Sequence, residues 1–279
     1  MNQAMWRDKR TQDNLDTLVS QGFGICGPGS GEQACGDIGL GRMLEPLEIL
    51  EIFSSSFDTG IMSGKAILIT AGPTQEPIDP VRFITNRSSG KMGYSLAEAA
   101  AESGAEVTLI SGPVNLEAPS NCNVVSIKTA EEMYEAVMHH IKGVDVYIGT
   151  AAVSDYSPAH TNASKIKKDG TNSPMILELK ENQDILKSVS ELKERPYVVG
   201  FAAETDNLIE NAEKKLNNKN LDLIVANDVS NKEIGFDSDE NEVTLITHEE
   251  KQLIQKQNKR KISKNIIEFI SGRINEQNN

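Results

Sequence analysis

The segment from Asn86 to Gly93, which reads NRSSGKMG, contains the residue types from which phosphate-binding loops are built. It ends a long loop with three prolines that joins a predicted strand at 66–70 to a predicted helix at 91–103. Backbone N–H groups of small residues before a helix N-terminus converge on one point and carry partial positive charge. Serine is also a common helix cap, but two serines and two glycines exceed what a cap needs. The segment therefore predicts an anion site, beside which the Asn86 side chain holds a carbonyl group.

A second group of residues combines small side chains with lysines. The sequence GTAAVSDY occupies 149–156, at the end of a predicted strand, and KIKK follows at 165–168. Small residues let a flat base or a ribose approach the backbone closely. Lys165 and Lys167 alternate as in a strand, so both face one side and can neutralise charge on a phosphoryl group. An exposed basic loop explains the same lysines equally well.

A third group lies at the end of another predicted strand, where GFAAET occupies 200–205 and three lysines, at 214, 215 and 219, come after it. Phe201, beside small residues, can stack on a base. Lys215 and Lys219 are four residues apart, so they share one helix face and can meet a triphosphate. The alternative is that Phe201 packs in the core and the lysines form a solvated helix face. This alternative is favoured when the group is considered alone.

The elements that must position these groups alternate between strands and helices. Strands are predicted at 66–70, 106–110, 123–127, 144–149, 197–202 and 221–226, and helices at 91–103, 130–141, 183–193 and 207–218. A further strand pair is predicted within 228–247, and an amphipathic segment at 262–274. This alternation predicts an α/β protein with a doubly wound, mostly parallel, Rossmann-like sheet and helices on both faces. Ligands bind beyond the carboxyl ends of such strands, where all three groups fall.

The composition excludes several classes of protein. With 279 residues and a formal net charge of −13, the chain is not a general binder of nucleic acid or of a membrane surface. Cys26, Cys35 and Cys122 form no CxxC pair and are odd in number, which indicates reduced thiols in a cytoplasm. The four histidines have no metal-site spacing, and no apolar run reaches the length of a membrane span. We therefore expect a cytoplasmic protein without a protein-bound metal site.

Five motifs, in this order, resemble the ligase domain of one family, the bacterial bifunctional phosphopantothenoylcysteine decarboxylase/phosphopantothenate–cysteine ligases of coenzyme A biosynthesis. The motifs are ITAGPTQEPIDPVRFITNRSSGKMG, AAVSDY, KIKK, YVVGFAAET and NLDLIVANDVS. The resemblance extends from Lys65 to about Ile270. It implies a ligase domain at 64–279, preceded at 1–60 by a linker and the end of a flavin-dependent decarboxylase domain.

The N-terminal part is similar to the other half of the same family. Met1–Trp6 resembles the end of a substrate-binding motif in which Asn2 contacts substrate. The stretches 34–37 and 39–43 resemble the active-site flap, with Cys35 as the proton donor of decarboxylation. The flavin-binding body of the family would precede Met1. We therefore expect FMN and decarboxylation only in a full-length protein, with Cys35 and Asn2 left without their site in this chain.

For the ligase half, the resemblance implies that CTP and Mg²⁺ activate 4′-phosphopantothenate to an acyl-cytidylate, to which L-cysteine is then coupled. It implies that Lys165 stabilises the α-phosphate and that Asn86 orients the acyl group during the cysteine step. Ser88, Ser89 and Gly90 are expected to bind the substrate phosphate. The residues expected to bind CTP are Gly149, Thr150, Ala151, Ala152, Asp155, Lys165, Gln183, Asp184, Ile185, Leu186, Phe201, Lys215 and Lys219. Gln183 stands where the family commonly has proline, so Asp184 is the firmer assignment in that segment.

Other functions remain open from the sequence. A nicotinamide-dependent reductase fits poorly, because the first predicted strand is followed by AGPT instead of GxGxxG. The glycine-rich stretch 27–33 lacks the Lys-Ser/Thr of a phosphate loop. A non-catalytic remnant that assembles with a separate flavoprotein is the alternative from another class. The resemblance also implies a homodimer through the ligase domain, with a higher assembly where a flavoprotein half is present. The choice of CTP over ATP does not follow from the sequence.

Overall fold

The computed structural model describes residues 1–33, 36, 38–55, 60–167, 175–204, 207–228 and 240–277. The chain divides into two compact units, Met1–Thr59 and Gly60–Asn279. In the described part of the first unit, the elements are α1 (Gln3–Arg7), α2 (Lys9–Ser20), β1 (Gly29–Glu32), β2 (Ile38–Arg42) and α3 (Pro46–Ser55). The antiparallel pair β1–β2 was not predicted, because glycine, which is abundant there, is depleted in strands.

The second unit carries the motifs that resemble the ligase domain. Its strands are β3 (Ala66–Ala71), β4 (Gln75–Pro77), β5 (Phe83–Thr85), β6 (Glu106–Ser111), β7 (Cys122–Ser126), β8 (Val146–Gly149), β9 (Tyr156–Pro158), β10 (Leu179–Glu181), β11 (Tyr197–Glu204), β12 (Leu223–Asp228), β13 (Glu240–Ile246) and β14 (Lys251–Asn258). Its helices are α4 (Lys91–Glu102), α5 (Ala130–His140), α6 (Ile185–Ser190), α7 (Leu208–Asn218) and α8 (Lys259–Gln277). No helix in the described ranges is both long and apolar enough to cross a membrane.

Eight of these strands form one sheet, in the order β14-β13-β12-β11-β8-β3-β6-β7. The strands from β12 to β7 run parallel, whereas β13 and β14 add an antiparallel edge. The prediction of a mostly parallel sheet is therefore confirmed. The edge strand β14 was missed, because its sequence KQLIQKQN has few apolar residues and six of its eight side chains are exposed. Helix α6 is shorter than predicted, since Asp184 caps it by accepting from Lys187 N.

Successive residues of β3 show how the sheet is covered on both faces. Ile67 and Ile69 pack with α4 and α8, whereas Leu68, which points the other way, packs with α5, α6 and α7. All three side chains are almost completely buried. Full burial of each such side chain stabilises the folded state by about 1.5–3 kcal/mol relative to leaving it exposed. Two helix layers thus fix the strand ends at which the site lies.

The start of α4 lies unusually close to the sheet. Gly90 precedes the helix with a φ of 74°, a left-handed conformation that glycine adopts without strain. A Cβ atom on Gly93 would lie 2.5 Å from both Ala71 Cβ and Thr150 Oγ1. Only glycine therefore allows the first turn of α4 to rest on the ends of β3 and β8.

The substitution Gly93→Ala should destabilise the fold by about 1–3 kcal/mol, because the added methyl group forces α4 away from the strand ends. Gly272→Ala is the matched control, since a Cβ there meets nothing within 4 Å in the middle of α8. That control should stabilise by about 0.5–1 kcal/mol through helix propensity. Thermal unfolding measures both. An increase in Tm for Gly93→Ala would show that α4 is not packed as described.

Candidate active site

Two loops at the carboxyl edge of the sheet are joined by hydrogen bonds. The loop after β3 and the loop after β8 meet where Ala152 N donates to Gly72 O over 2.9 Å. Further along, Asn86 Nδ2 donates to Val153 O, also over 2.9 Å. These two hydrogen bonds therefore hold the long proline-containing loop, with Asn86, at the strand ends.

A cavity of about 510 Å³ opens over these loops and is called the larger cavity below. It lies above the N-terminus of α4, where the helix has no side-chain cap. Twelve of the predicted site residues line it: Asn86, Ser88, Ser89, Gly90, Gly149, Thr150, Ala151, Ala152, Asp155, Leu186, Phe201 and Lys215. Three groups that are far apart in the sequence thus meet at the carboxyl ends of β3, β8 and β11.

A smaller cavity of about 210 Å³ adjoins the larger one. The two share six lining residues, among them Gly149, Asp155 and Lys215. The smaller cavity also collects Gln183, Asp184, Ile185 and Lys219. Tyr147, which the sequence did not single out, lies on its wall with its ring almost fully buried. Burial raises the pKa of the Tyr147 phenol well above its ordinary range, so the group stays neutral.

The lysines of the smaller cavity are held by the site itself. Lys215 Nζ donates to Phe201 O over 2.7 Å, at the end of β11. Lys219 Nζ lies 2.8 Å from Asp184 Oδ2. Burial raises the pKa of Asp184, but its hydrogen bonds with Lys219 and with Lys187 N outweigh burial and lower it. Asp184 is therefore ionised near neutral pH and fixes a cation at the cavity wall.

The larger cavity concentrates positive charge in an acidic chain. Its described lining carries four basic side chains, Arg87, Lys91, Lys215 and Lys259, and one carboxylate, that of Asp155. The formal charge of the whole chain is −13. Cations that line a concave site of low dielectric constant attract anions far more strongly than the same cations scattered over a surface. The arrangement favours a ligand with several negative charges.

Lys165 is placed differently from the expectation. Residues 165–167 are not in a strand, so the predicted strand-like register is wrong there, and Lys165 is exposed and lines neither cavity. Both backbone polar groups of its neighbour Ile166 are hydrogen bonded. Ile166 N donates to Asp79 Oδ2 over 3.1 Å, and Arg82 Nη2 donates to Ile166 O over 3.0 Å. The hairpin β4–β5 therefore anchors the segment that carries Lys165.

Two remaining predicted residues belong to the first unit. The Asn2 side chain caps α1 by accepting from Met5 N over 2.9 Å. Cys35 lies outside the described residues, as does Lys168 of the KIKK motif in the second unit. A wider depression of about 1020 Å³ lies beside α5 and includes His139 and His140. It includes none of the predicted site residues.

Comparison with known proteins places the second unit in one family. Residues 62–273 match the family described as "DNA/pantothenate metabolism flavoprotein C-terminal domain". The chain is 48% identical over 269 residues to the coenzyme A biosynthesis bifunctional protein CoaBC of Vibrio parahaemolyticus. The match covers 96% of this chain and 67% of that protein. The corresponding Escherichia coli protein is 47% identical over 281 residues, which cover 100% of this chain and 69% of the relative.

The chain belongs to the CoaBC family. It spans about two thirds of the length of these curated relatives. A crystal structure of a CoaBC C-terminal domain superposes with a TM-score of 0.67 and 42% identity, over 78% of this chain and 99% of that one. The DNA/pantothenate metabolism flavoprotein of Streptococcus pneumoniae gives a TM-score of 0.65 at 28% identity, over 75% and 100% of the two chains. The Rossmann-like fold expected from the sequence is thereby confirmed.

Three lining residues of the larger cavity were missed by the sequence analysis of this CoaBC-family chain. They are Asn227 on β12, Asn241 on β13 and Lys259 at the start of α8. Asn227 lies within the NLDLIVANDVS motif, which offered a signal, but Asn241 and Lys259 lie in segments without a motif. Their place in the site follows from the docking of β13 and α8, which a local pattern does not report.

Asp79→Asn tests whether the β4–β5 hairpin anchors the Lys165 segment. The buried Asp79 carboxylate accepts from Ile166 N and from Arg82, whose hydrogen bond holds its pKa far below the ordinary range. An amide loses these charge-assisted bonds, so trypsin should cleave after Lys165 and Lys167 about tenfold faster. Asp222→Asn is the control, because Asp222 pairs with Arg195 elsewhere. Equal cleavage rates in the two variants would contradict the anchoring.

Proposed function

We propose that this chain is a phosphopantothenate–cysteine ligase. It activates 4′-phosphopantothenate with CTP to an acyl-cytidylate and pyrophosphate, and L-cysteine then displaces CMP to give 4′-phosphopantothenoylcysteine. The observation that carries the proposal is the larger cavity, in which the uncapped N-terminus of α4 and four basic side chains face one space. Membership of a coenzyme A biosynthesis family supports the choice of a pantothenate-derived substrate.

The proposed chemistry needs no nucleophile from the protein. A carboxylate is a poor acyl donor until one of its oxygens becomes part of a good leaving group. Attack of the substrate carboxylate on the α-phosphate breaks the bond to pyrophosphate and creates the mixed anhydride. The cysteine amine then attacks the acyl carbon, and CMP leaves with the bonding electrons. Positioning and charge neutralisation account for catalysis in both steps.

The residues divide between the two steps. Ser88, Ser89 and Gly90, before α4, would bind a phosphate with their backbone N–H groups. Asn86, oriented by its bond to Val153 O, would hold the acyl carbonyl while cysteine attacks. The residues of the smaller cavity would enclose the nucleotide, beside Phe201 and the lysines at 215 and 219. Lys165 would reach the α-phosphate from the anchored segment.

The residues present fit a magnesium ion that arrives with the nucleotide. Mg²⁺ is usually held by one or two carboxylates together with substrate phosphates and water. Asp155 lines both cavities and offers such a carboxylate. In the described ranges, no three His, Cys, Asp or Glu side chains form a metal cluster. Bound Mg²⁺ would neutralise phosphate charge, and the protein residues would orient the reacting groups.

The wider assembly follows from the same proposal. We assign FMN-dependent decarboxylation to the full-length bifunctional protein and derive no step of it from this chain. A homodimer through the ligase unit is the expected assembly, with a higher assembly where a flavoprotein half is present.

Pyrophosphate release tests the proposal directly. The purified chain is supplied with 4′-phosphopantothenate, L-cysteine and Mg²⁺, and CTP is compared with ATP. We expect CTP-dependent release with CMP as co-product. A folded chain that releases pyrophosphate with neither nucleotide would contradict the ligase proposal and favour a remnant that assembles with a separate flavoprotein.

Two substitutions separate the half-reactions. Lys165→Gln should reduce pyrophosphate release by about 10²–10³-fold even without cysteine, because a cation at the α-phosphate is lost. Asn86→Asp should permit activation but stall formation of the cysteine adduct, because the added charge repels the developing oxyanion. Lys193→Gln is the control and should remain active, because Lys193 is exposed and lines neither cavity. Normal turnover by both site variants would show that these roles are wrong.

A further inference from the structure

One wall of the larger cavity is made by residues to which the proposed reaction gives no role. Asn227 comes from β12, Asn241 from β13 and Lys259 from the first position of α8. Lys259 and Asn241 are only 6% and 3% exposed. Lysine is rarely buried to this extent, because its ammonium group must leave water. The nearly buried Lys259 therefore places a cation beside the space in which an anion could bind.

The two asparagines present amide groups to the same space. Asn241 Oδ1 accepts from Glu242 N over 3.0 Å. Within the residues that the structure describes, Asn241 Nδ2 and the side-chain amide of Asn227 have no hydrogen-bond partner in the protein. Neither side-chain amide is fully buried, so both stay accessible from the cavity. These accessible amides can therefore bind a polar ligand in the cavity.

Two helix N-termini add to the positive field. Helices α4 and α8 pack against each other on one face of the sheet. The residues at their starts, Gly90 and Lys259, both line the larger cavity. Each helix is longer than ten residues, so each brings a partial positive charge to this end. Asn258 Oδ1 already accepts from Lys261 N at the start of α8. An anion here would therefore meet the amide donors, an ammonium group and the N-terminus of α4, within the field of both helices.

We propose that Asn227, Asn241 and Lys259 form a second phosphate subsite within the active site. The proposal rests on the ligase function proposed above, which brings two phosphate-bearing molecules to one cavity. The shared chemistry is a phosphate or pyrophosphate group with two or more negative charges. Its source is either the β- and γ-phosphates of the nucleotide, which leave as pyrophosphate, or the phosphate of the pantothenate-derived substrate. The ammonium group and the two carboxamides offer donors to several phosphate oxygens.

Direct binding tests the subsite without turnover. Inorganic pyrophosphate and inorganic phosphate are titrated calorimetrically into the wild-type chain and into Lys259→Met. Methionine keeps the length and apolar stem of lysine but removes the charge, so binding of at least one anion should weaken about 10- to 100-fold. Lys261→Met is the matched control, since Lys261 is exposed on the same helix and the charge change is identical. Unchanged anion binding by Lys259→Met would overturn the proposal.

Steady-state kinetics identify which phosphate the subsite receives. A KM for CTP that rises about tenfold or more, with an unchanged KM for 4′-phosphopantothenate, assigns the nucleotide phosphates. The opposite pattern assigns the phosphate of the substrate. No change in either KM, or a fall in kcat alone, would overturn the subsite. If the wild-type chain binds pyrophosphate through Lys259 yet makes no product, the ligase proposal fails and the anion subsite stands.

A second variant keeps the test decisive if Lys259→Met does not fold. Asn241→Ala removes the carboxamide that faces the cavity and retains the helix start. It should weaken binding of the same anion about tenfold. Lys259→Arg keeps a cation at this wall, so it should retain most of the anion binding that Lys259→Met loses. Wild-type affinity in Asn241→Ala would overturn the proposal.

Discussion

The close contact between the first turn of α4 and the ends of β3 and β8 is the constraint on which the site depends. Because Gly93 has no Cβ atom, the helix rests directly on Ala71 and Thr150. Strand β3 has β8 on one side and β6 on the other, so this contact lies at the topological switch point of the sheet. A ligand that binds there meets the N–H groups of α4 and the loops of two neighbouring strands at once.

The distribution of charge differs between the larger cavity and the chain as a whole. An acidic chain repels polyanions in general, whereas the larger cavity gathers Arg87, Lys91, Lys215 and Lys259 around one carboxylate in its described lining. The shape of the cavity would then favour small anions, such as the phosphorylated molecules of the proposed function, over a large polyanion. The negative surface and the positive cavity act together, because the surface disfavours the partners that the cavity alone would attract.

The six parallel strands of the sheet could be predicted from the sequence, because buried strands appear as short apolar runs. Each run is also followed by a helix or by a loop of small residues. The sequence analysis missed β14, whose exposed side chains look like a polar tail. It also missed the antiparallel pairs β4–β5 and β9–β10, whose strands of three residues are too short to show a period. Asn86 and Phe201 lie within motifs, and Lys215 was singled out by its spacing of four residues from Lys219. Asn241 and Lys259 could not be found, since their burial arises only when β13 and α8 dock beside α4.

The β4–β5 hairpin links the two residues to which we assign the half-reactions. Asn86 follows β5 directly, and Asp79 and Arg82, between the two strands, hold the backbone of Ile166 next to Lys165. The Asp79 carboxylate stays charged throughout the physiological range, since its pKa lies far below the ordinary value. A displacement of this hairpin therefore moves the positions of Lys165 and Asn86 together. The two residues to which the proposal gives separate half-reactions thus share one structural support, although only Asn86 lines the larger cavity.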